Sequence, residues 1–146
     1  MVTREPEPMT FHEKSAWINL VAILLFGGAY FLHVPWTLRP EFNPVLWRGF
    51  VYCLVAFLAL EVVGHLVLAL RSPREARAPR DERERLINLK TIRLAAYVYV
   101  VGSFAAVFTL HHGANGLAVG NLVLFAFVVA QIVNYTARIV YHRRGV

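Results

Sequence analysis

The sequence predicts an all-α membrane protein, a four-helix transmembrane bundle that occupies the whole chain, residues 1–146, as one domain. Two observations support this prediction: four long apolar runs, and a strongly basic segment between the second run and the third. The composition agrees, because 58% hydrophobic residues and a mean hydropathy of +0.51 are too apolar for a soluble chain of this size.

Each apolar run is long enough to cross a bilayer. A helix of ~20 residues rises roughly 30 Å, which matches the hydrocarbon core. A soluble bundle would need one polar face on each helix, whereas these runs are apolar nearly all round. The first run lacks a small-x-small cleavage motif and is expected to be a retained helix rather than a signal peptide. The predicted spans are residues 15–34, 50–70, 94–110 and 117–137.

Residues 71–93 form the basic segment and set the predicted orientation. They hold eight of the fifteen Lys and Arg residues, and such an excess marks the cytoplasmic side of a membrane protein. Of the fifteen Lys and Arg residues, thirteen lie in the two terminal tails or in the basic segment, which are predicted to share one side of the membrane. The other two, Arg39 and Arg48, lie on the opposite side. Both termini are therefore predicted to be cytoplasmic.

The basic segment is not uniform. Pro73 and Pro79 break helical structure, so residues 71–80 are predicted to form a solvated connector. Asp81 is a candidate helix N-cap, with Glu84 three residues later completing a capping-box pattern. A single helix is expected to run from about Asp81 to Leu110.

The two halves of the chain resemble each other. Residues 13–20 match residues 82–89 at an offset of 69, and residues 57–65 match residues 127–135 at an offset of 70. Two hairpins of the same orientation would form a parallel repeat about an axis along the membrane normal. The polar pairs that should then superpose are Asn19 with Asn88 and Glu61 with Gln131.

Gly116 and Gly120 form a G-x-x-x-G pair at the start of the fourth run. Such pairs allow two helices to approach closely. Packing within the bundle is the favoured interpretation, and a homodimer seam is the alternative.

Glu61 is the main candidate for chemistry inside the membrane. It precedes Arg71 by ten residues, which puts it ~15 Å from the inner boundary, where a charge costs at least ~2.5 kcal/mol. Intramembrane ionisable groups are candidates for proton transfer or ligand binding, although a protonated or paired structural carboxyl is equally open. His65 lies one turn away on the same face, and Gln131 and Asn134 could complete a polar site.

Arg93 is the nearest cation to Glu61 along the membrane normal. Its side chain is predicted either to extend inward and pair with Glu61 or to extend toward the lipid headgroups. The second arrangement is favoured, because arginines near helix ends usually reach the interface.

A metal or other cofactor is not expected. Glu61 and His65 have the spacing of neither the Glu-x-x-His di-iron motif nor the His-Glu-x-x-His zinc motif. A haem ligand would need a facing histidine at the same depth. Three further histidines are predicted to lie at the outer surface, where they could bind a metal but are more simply explained as solvated side chains. These are His33, His111 and His112.

Several function classes receive no support. The cations lie at membrane boundaries, with no basic helix interleaved with aromatics, so nucleic acid is not an expected partner. A single cysteine, Cys53, excludes an internal disulfide and a thiol redox pair. No motif of a nucleophile elbow, a phosphate loop or a paired-carboxylate site is present, and enzymatic activity is not expected.

Three motifs carry a resemblance to a known family. They are Glu-Lys-Ser-Ala-Trp-Ile at residues 13–18, Asp-Glu-Arg-Glu-Arg-Leu-Ile at residues 81–87 and Tyr-His-Arg-Arg-Gly at residues 141–145. With them the chain resembles small bacterial four-helix membrane proteins catalogued as a domain of unknown function. The resemblance implies the bacterial inner membrane and brings no catalytic residue, cofactor or substrate.

Two functional hypotheses remain. The first is a non-enzymatic membrane module, sensory or regulatory, that binds a cytoplasmic protein or anionic lipid headgroups through its basic face. The plainer explanation of that face is orientation alone. The second hypothesis is a small proton-coupled carrier that uses Glu61. The candidate interaction face comprises Arg74, Arg77, Arg80, Arg83, Arg85 and Lys90.

Overall fold

A computed structural model describes residues 10–33, 44–74 and 81–144. Helices α1 (Phe11–His33), α2 (Pro44–Arg71), α3 (Glu82–Phe108) and α4 (Gly116–Arg144) account for most of them, and a 3-10 turn, Thr109–His112, follows α3. All four helices are long and apolar enough to cross a membrane. The prediction of an all-helical chain with four candidate spans is therefore confirmed.

Three of the helices continue well beyond the apolar runs that predict them. α2 begins at Pro44, because proline lacks only an N–H that the first helical turn leaves unused and its fixed φ suits that turn. α4 continues to Arg144. Hydropathy marks the part of a helix that suits lipid, whereas the backbone stays helical into the polar boundary.

α3 starts twelve residues before its apolar run, as the local capping pattern predicts. The N-cap residue Asp81 has φ −65° and ψ 155°, and its Oδ1 accepts a hydrogen bond from the backbone N–H of Glu82 at 2.7 Å. The carboxylate of Glu84, predicted to complete a capping box, pairs instead with His12 on α1. At the other end Gly113 reverses the chain with φ 82°, a left-handed conformation that glycine adopts without steric cost.

The helices pack in the spatial order α2, α1, α4, α3. α1 contacts both α2 and α4, and α4 contacts α3 most extensively, while the remaining helix pairs barely touch. Accordingly 33% of the α1 span is buried, against 6% of the α2 span. α2 is thus a peripheral helix held by α1, and α1 and α4 form the centre.

One glycine closes each of the three helix interfaces. A Cβ added at Gly64 would lie 2.7 Å from Ile18 Cγ2, one at Gly27 would lie 2.7 Å from Val128 Cγ1, and one at Gly102 would lie 2.6 Å from the Cβ of Ala126. In lipid the hydrophobic effect does not drive helix association, so close backbone approach and van der Waals packing at small residues take its place.

The favoured interpretation of Gly116 and Gly120 is wrong. A Cβ at either position would meet nothing within 4 Å, so neither glycine packs within the bundle. The buried face of α4 begins at Asn121, and consecutive helical residues point about 100° apart. The pair therefore lies on an exposed face of α4, which leaves the homodimer seam as a prediction.

The contacts between helices depart from a complete twofold repeat. α1 and α3 begin at the same end of the bundle, where His12 Nε2 lies 3.1 Å from Glu84 Oε2. A twofold axis would repeat the α1–α4 contact between α3 and α2, which barely touch. In addition, a repeat of the contact between Asn19 and Glu61 would bring Asn88 against Gln131. Asn88 instead accepts a hydrogen bond from Arg138, which lies two helical turns beyond Gln131 on α4.

Candidate functional site

Polar side chains gather in the half of the bundle where α1 and α3 begin and where α2 and α4 end. Two groups can be distinguished. The α1–α2 polar cluster consists of Ser15, Asn19, Glu61, His65 and Tyr135, and the end cluster consists of His12, Glu13, Glu84 and Arg143.

Glu61 and His65 are adjacent on α2. His65 Nδ1 lies 2.8 Å from the backbone carbonyl oxygen of Glu61 and 3.4 Å from its carboxylate Oε2. Both neighbours are acceptors when Glu61 is ionised, so Nδ1 carries the proton and donates. In the neutral imidazole Nε2 is consequently a hydrogen-bond acceptor that faces away from Glu61.

Two side chains of α1 meet this pair. The Oγ of Ser15 lies 2.9 Å from His65 Nε2. With its amide NH2 group facing α2, Asn19 donates from Nδ2 to Glu61 Oε2 at 2.9 Å and lies 3.1 Å from His65 Nε2. Ser15 and Asn19 are four residues apart and so share one face of α1. The cluster therefore joins α1 to α2 through the Nε2 atom of His65 and through the Glu61 carboxylate, while the Nδ1 bond stays within α2.

Tyr135 extends the cluster to α4. Its side chain lies close enough to Asn19 and Glu61 to interact with both electrostatically, and the guanidinium of Arg138 lies over its ring, 6.0 Å from the centroid. Arg138 in turn donates through Nη2 to Asn88 Oδ1 on α3. A continuous series of polar contacts thus connects all four helices.

Three residues that the sequence assigned to this site lie elsewhere. Gln131 is half-buried and Asn134 is buried, and among the described residues neither forms a hydrogen bond with Glu61. The Oδ1 atom of Asn134 has no hydrogen-bond partner within the described ranges. Arg93 is exposed on α3, which packs on α4 and barely touches α2. No ion pair between Arg93 and Glu61 occurs in the described part of the chain.

Sequence reasoning missed Ser15, Asn19 and Tyr135 as partners of Glu61. Asn19 and Tyr135 both appear in the repeat alignment, but their contacts depend on how α1 and α4 are turned toward α2. Ser15 and His65 are separated by fifty residues, and no local spacing signals their contact.

The histidines near the other end of the bundle are occupied locally. His33 Nδ1 lies 2.7 Å from the carbonyl oxygen of Ala29, and the rings of His111 and His112 lie 5.6 and 5.3 Å from that of Phe108. Within residues 10–33, 44–74 and 81–144, no group of three or more His, Cys, Asp or Glu side chains is placed to hold a metal ion.

The end cluster fastens α1, α3 and α4 together. Glu13 is only 7% exposed, and its Oε1 accepts a hydrogen bond from Arg143 Nε at 2.9 Å. Arg143 also lies over the ring of Trp17, 5.9 Å from the centroid. His12 and Glu84 form the second ion pair of the cluster, between α1 and α3. Glu13 is thus neutralised within the bundle by Arg143, and Glu84 has a hydrogen-bonding partner in His12.

The cations of the predicted interaction face point outward. Arg74, Arg83, Arg85 and Lys90 are exposed, whereas Arg77 and Arg80 lie outside the described residues. The surface at this end is therefore basic, and Glu13 of the end cluster contributes little negative charge to it.

Comparison with protein-family models, with curated protein sequences and with solved structures gives no match for this chain. The resemblance to small bacterial four-helix membrane proteins stays an expectation. Functional inference accordingly depends on the geometry of the two clusters and on the exposed cations.

Proposed function

We propose that this chain is a multi-pass module of the bacterial inner membrane that binds an acidic partner at its basic face. The partner we propose is a cytoplasmic protein, and the module acts in sensing or regulation. The observation that supports this most directly is that Arg74, Arg83, Arg85 and Lys90 are exposed at this end of the bundle. Two of the carboxylates there, Glu13 and Glu84, face partners on other helices, while Asp81 and Glu82 are exposed.

The separation of charge exceeds what membrane orientation requires. The orientation rule depends on the number of Lys and Arg residues near the membrane and gives little weight to carboxylates. Here Glu13 pairs with Arg143 and Glu84 contacts His12, so these two carboxylates are turned toward partners within the bundle, whereas Arg83 and Arg85 are exposed. Surface charges act over a Debye length of about 8 Å at physiological salt, so this pairing strengthens the positive field that a partner meets.

The exposed cations stand on a rigid support. Arg83, Arg85 and Lys90 belong to α3, which continues without interruption from its cap at Asp81 into the membrane. The ion pair between His12 and Glu84 fixes the start of this helix against α1. A preorganised face binds with a smaller loss of conformational entropy than a disordered segment of the same charge.

The contacts of Glu61 favour this proposal over a proton-coupled carrier. Glu61 is held by Asn19 and His65 near one end of the bundle. Among the described residues, its hydrogen bonds do not continue to Gln131 or Asn134, so these polar side chains do not form a file across the bilayer. A carrier using Glu61 would lose pH-dependent solute flux in liposomes when Glu61 is changed to Gln.

The proposal requires both termini and residues 71–93 to be cytoplasmic. Reporter fusions after Val146 and near Arg77 measure this directly, and both are expected to give cytoplasmic signals. A periplasmic signal at either position contradicts the proposed orientation and with it the proposed face.

Charge reversal tests the face itself. A triple variant, Arg83→Glu, Arg85→Glu and Lys90→Glu, is purified in mild detergent beside wild type and beside Arg48→Glu, a matched reversal outside the basic segment. We expect wild type and Arg48→Glu to retain the same stoichiometric acidic protein, with binding that weakens as salt rises, and the triple variant to lose it. Equal retention by all three proteins, or no stoichiometric partner for wild type, contradicts the proposal.

A further inference from the structure

We propose that Ser15 is an activated nucleophile that accepts the acyl group of a carboxylic ester of a membrane amphiphile, with His65 as its general base. The inference goes beyond the partner-binding function and does not depend on it. It rests on a contact that the sequence does not reveal, between the Oγ of Ser15 on α1 and the Nε2 of His65 on α2.

The geometry is that of a hydroxyl held by a base. The distance of 2.9 Å between Ser15 Oγ and His65 Nε2 lies within the reach required for proton transfer from a nucleophile. On the other side of the ring, Nδ1 donates to the carbonyl oxygen of Glu61 at 2.8 Å, with the carboxylate at 3.4 Å. These acceptors fix the tautomer in which Nε2 has a free electron pair for the serine proton.

The Glu61 carboxylate is the third member of a serine–histidine–carboxylate arrangement, after Ser15 and His65. A carboxylate beside Nδ1 stabilises the imidazolium that forms when Nε2 takes up the proton of the nucleophile. Its side chain is 20% exposed, so this interaction operates in a partly desolvated setting where a charge has a stronger effect than in water. Glu61 is therefore a positioning residue in this proposal.

Asn19 is the group available to stabilise the oxyanion. The backbone N–H groups around Ser15 are engaged within α1, as expected for helix-interior positions. In the resting site the Nδ2 of Asn19, one helical turn from Ser15, donates to Glu61 Oε2 at 2.9 Å and to His65 Nε2 at 3.1 Å. Once Nε2 has taken up the serine proton it accepts no hydrogen bond, which frees one N–H of Asn19 for the oxyanion. A side-chain amide held in this way resembles the donors that stabilise tetrahedral intermediates in acyl transfer.

The depth of the cluster suits an ester at the membrane boundary. Ser15 lies four residues after the start of α1, or ~6 Å, and His65 lies six residues before the end of α2, or ~9 Å. The ester carbonyls of membrane amphiphiles lie between the headgroups and the hydrocarbon core, which water also reaches. His65 has 38% of its side chain exposed, and α2 packs only on α1 among its extensive contacts, so the ester has lateral access.

The reaction balances with water as the second reactant. The Oγ of Ser15 attacks the ester carbonyl carbon while its proton passes to His65 Nε2. The bond from that carbon to the alcohol oxygen breaks, and the proton on Nε2 moves to the departing oxygen. Water then attacks the acyl-serine, gives its proton to His65 and releases the carboxylic acid, which returns Ser15 to its hydroxyl form. The net change is ester plus water to acid plus alcohol.

A fluorophosphonate probe tests the nucleophile without knowledge of the substrate. The full-length protein is incubated with the probe in nanodiscs, and the modified residue is identified by peptide mass spectrometry. The chain has three serines, and we expect modification of Ser15 alone. Ser15→Ala is expected to abolish labelling. Ser103→Ala, which changes a half-buried serine on α3 whose hydroxyl oxygen is buried, serves as the matched control and is expected to leave labelling unchanged.

The rate of labelling shows whether Ser15 is activated by a base or is merely accessible to the probe. Replacing a general base slows such a reaction by about 10²–10⁴-fold, and this is the expected effect of His65→Gln. Asn19→Ala removes the oxyanion donor, and a loss of about 10²-fold is expected. Labelling should also fall in acid, because a protonated imidazole accepts no proton from Ser15. Hydrolysis of a short-chain nitrophenyl ester in mixed micelles should follow the same ranking.

Two results would overturn the inference. One is the absence of Ser15 modification in folded wild-type protein. The other is unchanged labelling in His65→Gln compared at equal amounts of monodisperse protein. The charge reversals at Arg83, Arg85 and Lys90 are expected to leave labelling unaltered, so failure of the partner-binding function and failure of the nucleophile are distinguishable.

Discussion

Both hairpins of this protein are built from helices apolar enough to cross a membrane, but they are held together differently. α3 and α4 form the most extensive interface of the bundle, with Gly102 against the backbone and Cβ of Ala126. In the α1–α2 hairpin, only 6% of the α2 span is buried, and Gly64 faces the Cγ2 methyl group of Ile18 rather than backbone. The second hairpin is tight and buries Thr91, Asn121 and Asn134, whereas the first is loose and carries the α1–α2 polar cluster.

The comparison shows that a high hydropathy does not mark a helix as buried in the bundle. α2 has the highest mean hydropathy of the four spans, at 2.4, and the lowest buried share. Lipid tails and apolar side chains solvate a helix about equally well, so close packing and hydrogen bonds decide which helices associate. The α1–α2 polar cluster is therefore important for holding α2, because this helix has little close packing of its own.

The largest effect is expected from Gly102→Val in the tight hairpin. The added Cβ would lie 2.6 Å from the Cβ and 3.5 Å from the Cα of Ala126, and helix backbone cannot move aside without separating α3 from α4. Overpacking of this kind costs about 3 kcal/mol. The unfolding free energy in mixed detergent measures it, and a loss below about 1 kcal/mol would show that the hairpin is not tight at this position.

Gly64→Val tests the loose hairpin in the same way and should cost less. Its added Cβ would meet the Cγ2 of Ile18 at 2.7 Å, a branch methyl on a stiff β-branched side chain, whereas no backbone atom is among its three nearest neighbours. A cost of about 1 kcal/mol is expected, measured under the same conditions as for Gly102→Val. If the two substitutions cost the same, the difference between the hairpins that we infer from their contacts does not hold.

The sequence predicts features that depend on neighbouring residues. Asp81 marks the start of α3 because capping is a local interaction, and the four spans follow from uninterrupted apolar runs. The contact of Ser15 with His65 could not be predicted, since it depends on the rotation of one helix against another. The same rotation decides that Gly102, rather than Gly116, lies in a helix interface.

The same limit explains why Arg93 does not pair with Glu61. Its depth along the membrane normal is similar to that of the polar cluster, which suggested a pair with Glu61. Depth does not specify the angular order of helices around the bundle, and the order α2, α1, α4, α3 separates the two residues by the width of two helices. The nearest cation in depth is therefore not the partner.

Double-mutant cycles sharpen this point with a smaller effect. Asn19→Ala combined with Glu61→Gln should show a coupling energy above about 0.5 kcal/mol, because the two side chains share a hydrogen bond. Arg93→Gln combined with Glu61→Gln should be additive within about 0.3–0.5 kcal/mol, as is usual for residues without shared partners. The unfolding free energies of the variants give both values. Coupling in the second cycle and additivity in the first would reverse the assignment.

The smallest expected effect has the opposite sign and concerns Gly120→Ala in the second hairpin. A Cβ at Gly120 meets nothing within 4 Å, so the substitution encounters no steric cost of the kind expected at Gly102. Alanine loses less backbone entropy than glycine on entering a helix, and the protein should gain up to about 0.5–1 kcal/mol. The unfolding free energy at low protein concentration in detergent measures this gain. A loss of stability that grows with protein concentration would show instead that a second copy of the chain packs against Gly116 and Gly120. Close approach of two α4 helices is then the property that alanine disrupts, since a methyl group at such a seam separates the backbones.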